Sequence, residues 1–195
     1  MSSLDSLMPA HETPTLAVLA AAVVLAAGSS YAQTPTPPPA PPTPCLSDPK
    51  SKELDFWVGT WDVHPNGKPE QRAGTNVVTK LHKDCVILEN WTGARGMTGS
   101  SFNIYDASRR HWYQTWVDST GGLHEYSGGI ENGNMVYFGD LAAPPGQTGR
   151  VRTRLTFFNE GPDRVRQLSE RTTDGGKTWA VNYDFIYLRR KPGAP

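Results

Sequence analysis

The chain has 195 residues and sets 19 Lys and Arg against 19 Asp and Glu, so it carries no formal net charge. Such a balance gives no long-range field toward nucleic acid or an anionic membrane surface, and neither is expected as a partner. With 19 glycines and 17 prolines spread over the chain, turns are frequent and long helices are not expected.

Residues 1–32 read as a signal peptide. Leu16 to Ala27 is a run of Ala, Val and Leu long enough for the apolar core of such a peptide and too short to span a bilayer. Ser30-Tyr31-Ala32 places cleavage between Ala32 and Gln33. The segment before the run has no Lys or Arg and carries Asp5 and Glu12, which departs from the usual basic start. Met8 is an alternative start codon, and an uncleaved anchor is the alternative to cleavage. After cleavage 19 basic face 17 acidic residues, a net of +2. No other apolar segment approaches the ~18 residues of a span. The mature chain is therefore expected in the periplasm or secreted, without stable membrane insertion.

Residues 33–44 contain seven prolines and read as an extended linker. Ser47-Asp48-Pro49 supplies an N-cap and a proline at the first helical position, which predicts one short helix over Pro49 to Leu54. Cys45 and Cys85 are the two cysteines. In an oxidising compartment they are expected to form a disulfide; the alternative is a pair of buried thiols. A closed loop of about 40 residues corresponds to roughly 4 kcal/mol of chain entropy. Cys45 follows Pro-Thr-Pro rather than the small apolar residues of a lipoprotein site.

Over residues 45–190 turn signals recur every 8–14 residues, among them Asn66-Gly67, Gly121-Gly122, Asn132-Gly133 and Asp174-Gly175-Gly176. This is the spacing of an all-β barrel or sandwich. Strands are predicted near 56–63, 73–81, 85–92, 98–105, 111–118, 122–129, 134–139, 150–158, 164–172 and 178–189. The short connections favour a single up-and-down antiparallel barrel of about ten strands, with a β-sandwich as the alternative. Pro144-Pro145-Gly146 is the least regular link, and 191–195 is a tail expected to be disordered.

Alternation places Trp112, Gln114, Trp116 and Asp118 on one face of a strand, and Cys85, Ile87, Glu89 and Trp91 on one face of another. Amides and carboxylates interleaved with indoles suit a pocket wall; the alternative is a polar network that fixes barrel register. An inward Glu89 needs a partner, for which Arg154 and Arg166 are the candidates. Asn103 and Gln167 add polar points on other strands. The expected ligand-binding set is Glu89, Trp91, Asn103, Trp112, Gln114, Trp116, Arg154 and Gln167.

Two motifs read as structural. Gly59-Thr60-Trp61 on the first strand resembles the Gly-x-Trp of calycin (lipocalin-like) barrels, where the Trp packs across the closed end. Thr172-x-Asp174-x-Gly176-x-Thr178-Trp179 resembles the Asp-box turn of sialidase-type propellers, a hairpin remote from catalysis. One copy cannot build a propeller, so Asp174, Gly176 and Trp179 are assigned to a turn. Asn90-Trp91-Thr92 matches a glycosylation sequon but falls on a strand predicted to be buried.

Taken together, Asp55–Val63, Asp84-Cys85 to Trp91, Asn103–Asp106, Trp112–Asp118, Val165–Gln167 and Asp174–Trp179 resemble a family of exported bacterial proteins without assigned activity. The chain departs from that pattern at Asp84 (Gly expected), Ser169 (Trp expected) and Phe185 (Gly expected). The resemblance implies export and a calycin-like barrel, and it implies no activity.

Five histidines show no metal spacing, and His124-Glu125 lacks the second His of a zincin. No nucleophile elbow or phosphate loop occurs. Haem-binding nitrobindin barrels require a histidine near the C-terminus, whereas the last one here is His124. No metal, cofactor or catalytic residue is assigned. The expected function is binding of a small apolar or amphipathic molecule inside the barrel. The alternatives are a hydrolase or isomerase using Glu89 or Asp118 as acid or base, and a filled barrel with a structural role.

Overall fold

The computed structural model describes residues 42–143 and 148–191. The predicted signal peptide, most of the linker, the Pro144-Pro145-Gly146 link and most of the C-terminal tail lie outside the described residues.

Ten antiparallel strands run β1 Gly59–Pro65, β2 Gly74–Leu81, β3 Val86–Gly93, β4 Thr98–Asp106, β5 His111–Asp118, β6 Leu123–Glu131, β7 Asn134–Ala142, β8 Arg150–Asn159, β9 Arg164–Thr172 and β10 Ala180–Arg189. Each pairs with its neighbours in sequence, and β10 returns to β1, so the sheet is a closed up-and-down barrel. Closure leaves no free sheet edge. The sandwich alternative is excluded.

The first strand begins later than alternation predicts. Asp55–Trp57 is a 3-10 turn, closed by backbone bonds from Trp57 N to Leu54 O and from Val58 N to Asp55 O. The turn drives Leu54 and Trp57, both fully buried, into one end of the barrel. Upstream, the expected single helix is a 3-10 turn at Pro49–Lys52, capped by the Asp48 side chain. A one-turn α-helix precedes it at Pro44–Ser47. These turns form a plug held covalently by the Cys45–Cys85 disulfide. It is held electrostatically as well. Lys80 bridges Asp55 (2.7 Å) and Asp84 (3.4 Å), and Lys52 reaches Asp84 at 3.0 Å. Asp84 has a left-handed φ of +67°, a conformation costly for a residue with a Cβ.

The plugged end is dense with aromatics. Trp57 lies 4.6 Å from Phe157 and 6.4 Å from Tyr187 between ring centroids, and Trp61 lies 6.3 Å from Tyr187. The indole N–H of Trp61 donates to the Trp57 carbonyl at 2.9 Å. The Arg189 guanidinium stacks 4.2 Å above the Trp61 ring and donates to Val58 O. Gly59 makes this possible: at φ +150° its missing side chain leaves the space the guanidinium occupies.

The Asp174 turn closes the β9–β10 hairpin. Its carboxylate accepts from Lys177 N, Thr178 N and the Thr172 and Thr178 hydroxyls. Those bonds hold it far below the usual carboxylate range. Trp179 donates to Gly176 O and covers the outer face of the barrel against Arg154 and Phe138.

Candidate functional site

Alternation fixes which residues enter the lumen, and their size decides where it is hollow. Beyond the aromatic plug the barrel encloses a cavity of about 410 Å³ that opens opposite the N-terminal turns. That volume lies in the range of small-molecule sites. Glu89, Gln114 and Gln167 stand on its floor beside Tyr187 and Leu155. Trp91, Trp116, Tyr183 and Phe185 form the walls, and Arg95, Asp118, His124 and Arg171 stand at the mouth.

Glu89 sits on β3 and is 4% exposed. Asn76 Nδ2 and Ser101 Oγ donate to its two oxygens, each at 2.7 Å. The expected arginine partners are elsewhere. Arg154 points outward from β8, where it pairs with Glu170 at 2.8 Å and stacks on Trp179. Arg166 pairs with Asp184, also at 2.8 Å. Side chains 151, 153, 155 and 157 take the inward parity of β8, so Arg154 cannot reach the lumen and leaves the proposed binding set. Burial without a cation pushes the Glu89 carboxyl up from 4.5 to about 7, against the opposing pull of its two hydrogen bonds.

A chain of donors runs from the cavity to this carboxylate. Gln114 Nε2 donates to Asn103 Oδ1 at 2.9 Å, Asn103 Nδ2 donates to Ser101 Oγ at 3.0 Å, and Ser101 donates to Glu89. The Tyr137 hydroxyl also donates to Asn103 Oδ1 at 3.4 Å. Asn103 therefore supports the floor from behind and does not line the cavity. Trp112 is likewise displaced from its expected role. It is buried toward the plugged end, where its indole donates to Glu53 at 3.1 Å. Gln167 Oε1 accepts from the Tyr187 hydroxyl at 2.5 Å, which joins the floor to the aromatic plug.

Asp118 and Trp116 form a rigid pair at the mouth. The Trp116 indole donates to Asp118 at 2.9 Å, and Thr120 and Gly122 add further bonds. These donors hold Asp118 ionised far into acid, which unsuits it as a general acid or base near neutrality. Glu89 alone of the two named carboxylates titrates near pH 7.

Along one wall Trp91 lies nearly parallel to Phe185 (6.1 Å, 13°), and Phe185 nearly parallel to Tyr183 (4.8 Å, 22°). Three glycines keep aromatic rings flat against the barrel. A methyl at Gly74 would meet the Trp91 ring at 2.7 Å, one at Gly139 the Tyr126 ring at 2.8 Å, and one at Gly99 would overlap the Trp116 ring. The hollow is therefore built by sequence, because each ring lies over a residue with no side chain.

Tyr126, His124, Thr153, Ser169, Tyr183 and Phe185 line the cavity without having been assigned from the sequence. Their inward parity on β6, β8, β9 and β10 was the available signal. Ser169 and Phe185, two positions at which the sequence departs from the motifs it resembles, both line the cavity. Asn90, assigned to a buried strand, is exposed on the outer face and accepts from Ser100 Oγ at 3.1 Å.

Among the described residues no group of three or more His, Cys, Asp or Glu is placed to hold a metal. No described helix is long and apolar enough to cross a membrane. No protein-family model matches the sequence, and no curated protein matches it.

Proposed function

We propose that this protein is an exported calycin-like binding module that takes one small amphipathic molecule into the open half of its barrel. The observation that carries the reading is the 410 Å³ cavity, which combines stacked aromatic walls with a floor of Glu89, Gln114 and Gln167. Apolar walls supply contact area and a few fixed polar groups orient the ligand. Export is supported by the Cys45–Cys85 disulfide, a bond that persists in oxidising compartments, together with the apolar run and Ala32 cleavage signal. Membership of the exported family whose motifs the sequence resembles belongs to the same proposal.

The test is calorimetric titration of the mature chain with a panel of small amphipathic molecules, alongside a variant with a filled lumen, Thr153→Trp. One-to-one saturable binding that the variant lacks supports the reading. Absence of binding across the panel, or binding that survives filling, refutes it.

A second reading is favoured by one observation. A buried carboxyl at about pH 7 facing a cavity is suited to general acid–base work. On that reading Glu89 shuttles a proton within a bound substrate, as an isomerase requires. Turnover of a bound ligand that is lost in Glu89→Gln, with binding retained, would select it over simple binding.

A further inference from the structure

The floor of the cavity holds a buried carboxyl with no cationic partner among the described residues. A carboxylate offers about four lone-pair directions, yet Glu89 receives one neutral donor on each oxygen. No described cation pairs with it: the salt bridges of the described residues engage other carboxylates throughout. Thr153, 1% exposed on the cavity wall, has a hydroxyl with no partner. The donor chain from Gln114 through Asn103 and Ser101 ends on Glu89 and brings it a neutral hydroxyl, not a charge. A ligand head that completes the Glu89 carboxylate must bring hydrogens to it, and the Thr153 hydroxyl can accept or donate beside it.

From this arrangement we infer that the cavity takes a flat aromatic molecule bearing a protonated amine or amidine, its positive head inward on Glu89 and its ring against Trp91, Phe185 and Tyr183. This rests on the cavity-binding reading above and names its ligand class. The near-parallel rings of the wall favour a planar body. The faces of aromatic rings also attract a cation, which lowers the cost of taking the charge out of water. An anionic head on the floor would meet Glu89 instead. Arg95, Arg171 and His124 stand at the mouth beside Asp118, whose oxygens already accept from Trp116, Thr120 and Gly122, so Glu89 is the carboxylate left for a positive group, at depth.

The pairing has a pH signature. The tyrosines around the lumen (Tyr126, Tyr137, Tyr183 and Tyr187) are all held above their ordinary values by burial and stay neutral. Asp118 stays ionised. His124 is shifted below 6.5 by burial, so it is neutral above pH 7. Glu89 changes charge across pH 6 to 8, and its ionised form is the one that holds a cationic head. Amine binding therefore tightens as pH rises and releases a proton from Glu89.

The experiment titrates the mature chain by calorimetry with 2-(1-naphthyl)ethylamine, the matching alcohol and 1-naphthylacetate, at pH 6 and pH 8, in buffers of different ionisation enthalpy. At pH 8 the amine is expected to bind at least about tenfold tighter than the alcohol. The same amine should weaken severalfold at pH 6, and the acetate should bind weakest. Glu89→Gln should bring amine and alcohol within about twofold of each other, with the larger loss falling on the amine. Any pH dependence that persists in that variant belongs to His124. If amine and alcohol bind the wild type equally, the ligand class is wrong and the binding cavity stands. If all three fail to bind, the ligand class is wrong, and the cavity reading is decided by the wider amphipathic panel. If the amine preference survives in Glu89→Gln, the head does not sit on Glu89 and the inference is overturned.

Discussion

At the plugged end of the barrel, Trp57, Trp61, Phe157 and Tyr187 are buried and meet in tilted and edge-to-face contacts. Toward the mouth, Trp91, Trp116 and Tyr126 are as large, yet they border a cavity. The same alternation sends side chains inward at both ends, so burial pattern alone does not separate them. The difference lies in what each ring faces. Plug rings face one another across the lumen, supported by the N-terminal turns, whereas mouth rings lie over Gly74, Gly99 and Gly139. The polar residues also segregate, with Glu89, Gln114 and Gln167 at the boundary between the two halves. Filling one end provides stability, and flattening the rings at the other preserves space.

The sharpest break of this contrast is truncation in each half. Trp61 is fully buried beneath Arg189 and beside Tyr187. Trp61→Ala is expected to cost about 4 to 5 kcal/mol, the upper part of the range for a buried tryptophan. Trp116→Ala removes a partly buried ring that borders the cavity and is expected to cost below about 2 kcal/mol. Denaturant unfolding of both variants measures the difference. Equal losses would show that the open half contributes to the core as much as the plug does.

Next in size is the bond that holds the plug. Cys45→Ser with Cys85→Ser opens a loop spanning a separation of 40 residues and is expected to lower stability by about 3 to 4 kcal/mol. Because the disulfide lies at the plugged end, ligand affinity at a temperature where the variant stays folded should be unchanged. A loss of affinity under those conditions would show that the plug shapes the cavity.

The boundary between the halves is read through pH. Glu89 has a folded pKa of about 7 against 4.5, so between those values the folded chain holds a proton that the unfolded chain releases. Its contribution is fully present below pH 4.5 and is lost as pH rises through 7. His124 acts in the opposite direction, since its lowered value favours folding above 6.5. Comparing wild type with Glu89→Gln cancels His124. The stability difference between the two should move by on the order of 3 kcal/mol in favour of the variant between pH 4 and pH 8. A difference independent of pH would place Glu89 in contact with water or with a cation.

Much of this architecture was legible because it depends on local signals. Asn-Gly and Gly-Gly turns with period-two alternation place all ten strands, and consecutive pairing follows from short links. Asp55-Phe56-Trp57 misleads because its alternation matches a strand, while the backbone there is bent by the demand to bury both Leu54 and Trp57. The Glu89 partners misled for a different reason. Charge complementarity suggested Arg154, yet Val151, Thr153, Leu155 and Phe157 already claim the inward parity of β8. Ser101, by contrast, lies directly opposite Glu89 in the β3–β4 register. Neutral donors on adjacent strands satisfy a buried carboxyl without a long arginine crossing the lumen. Such a solution depends on register, which composition and periodicity do not reveal. The hollow itself was also hidden, since glycines at 74, 99 and 139 acquire meaning only beside the rings they accommodate.

The smallest predicted effect tests that last point most directly. A methyl at Gly99 would overlap the Trp116 ring and stand 2.9 Å from Val117 O, whereas one at Gly129 on β6 meets nothing within 4 Å. In Gly99→Ala the indole must leave the wall, breaking its 2.9 Å bond to Asp118 and swinging into the lumen. The expected cost is about 1 to 2 kcal/mol of stability, as for other overpacked sites. Ligand affinity should fall more than stability does, since the displaced ring occupies the volume a ligand needs. Gly129→Ala controls for the loss of glycine itself and should leave affinity unaltered. If Gly99→Ala unfolds at the wild-type midpoint and binds ligand undiminished, the rings at the mouth are free to repack. The cavity would then owe its shape to something other than these glycine contacts.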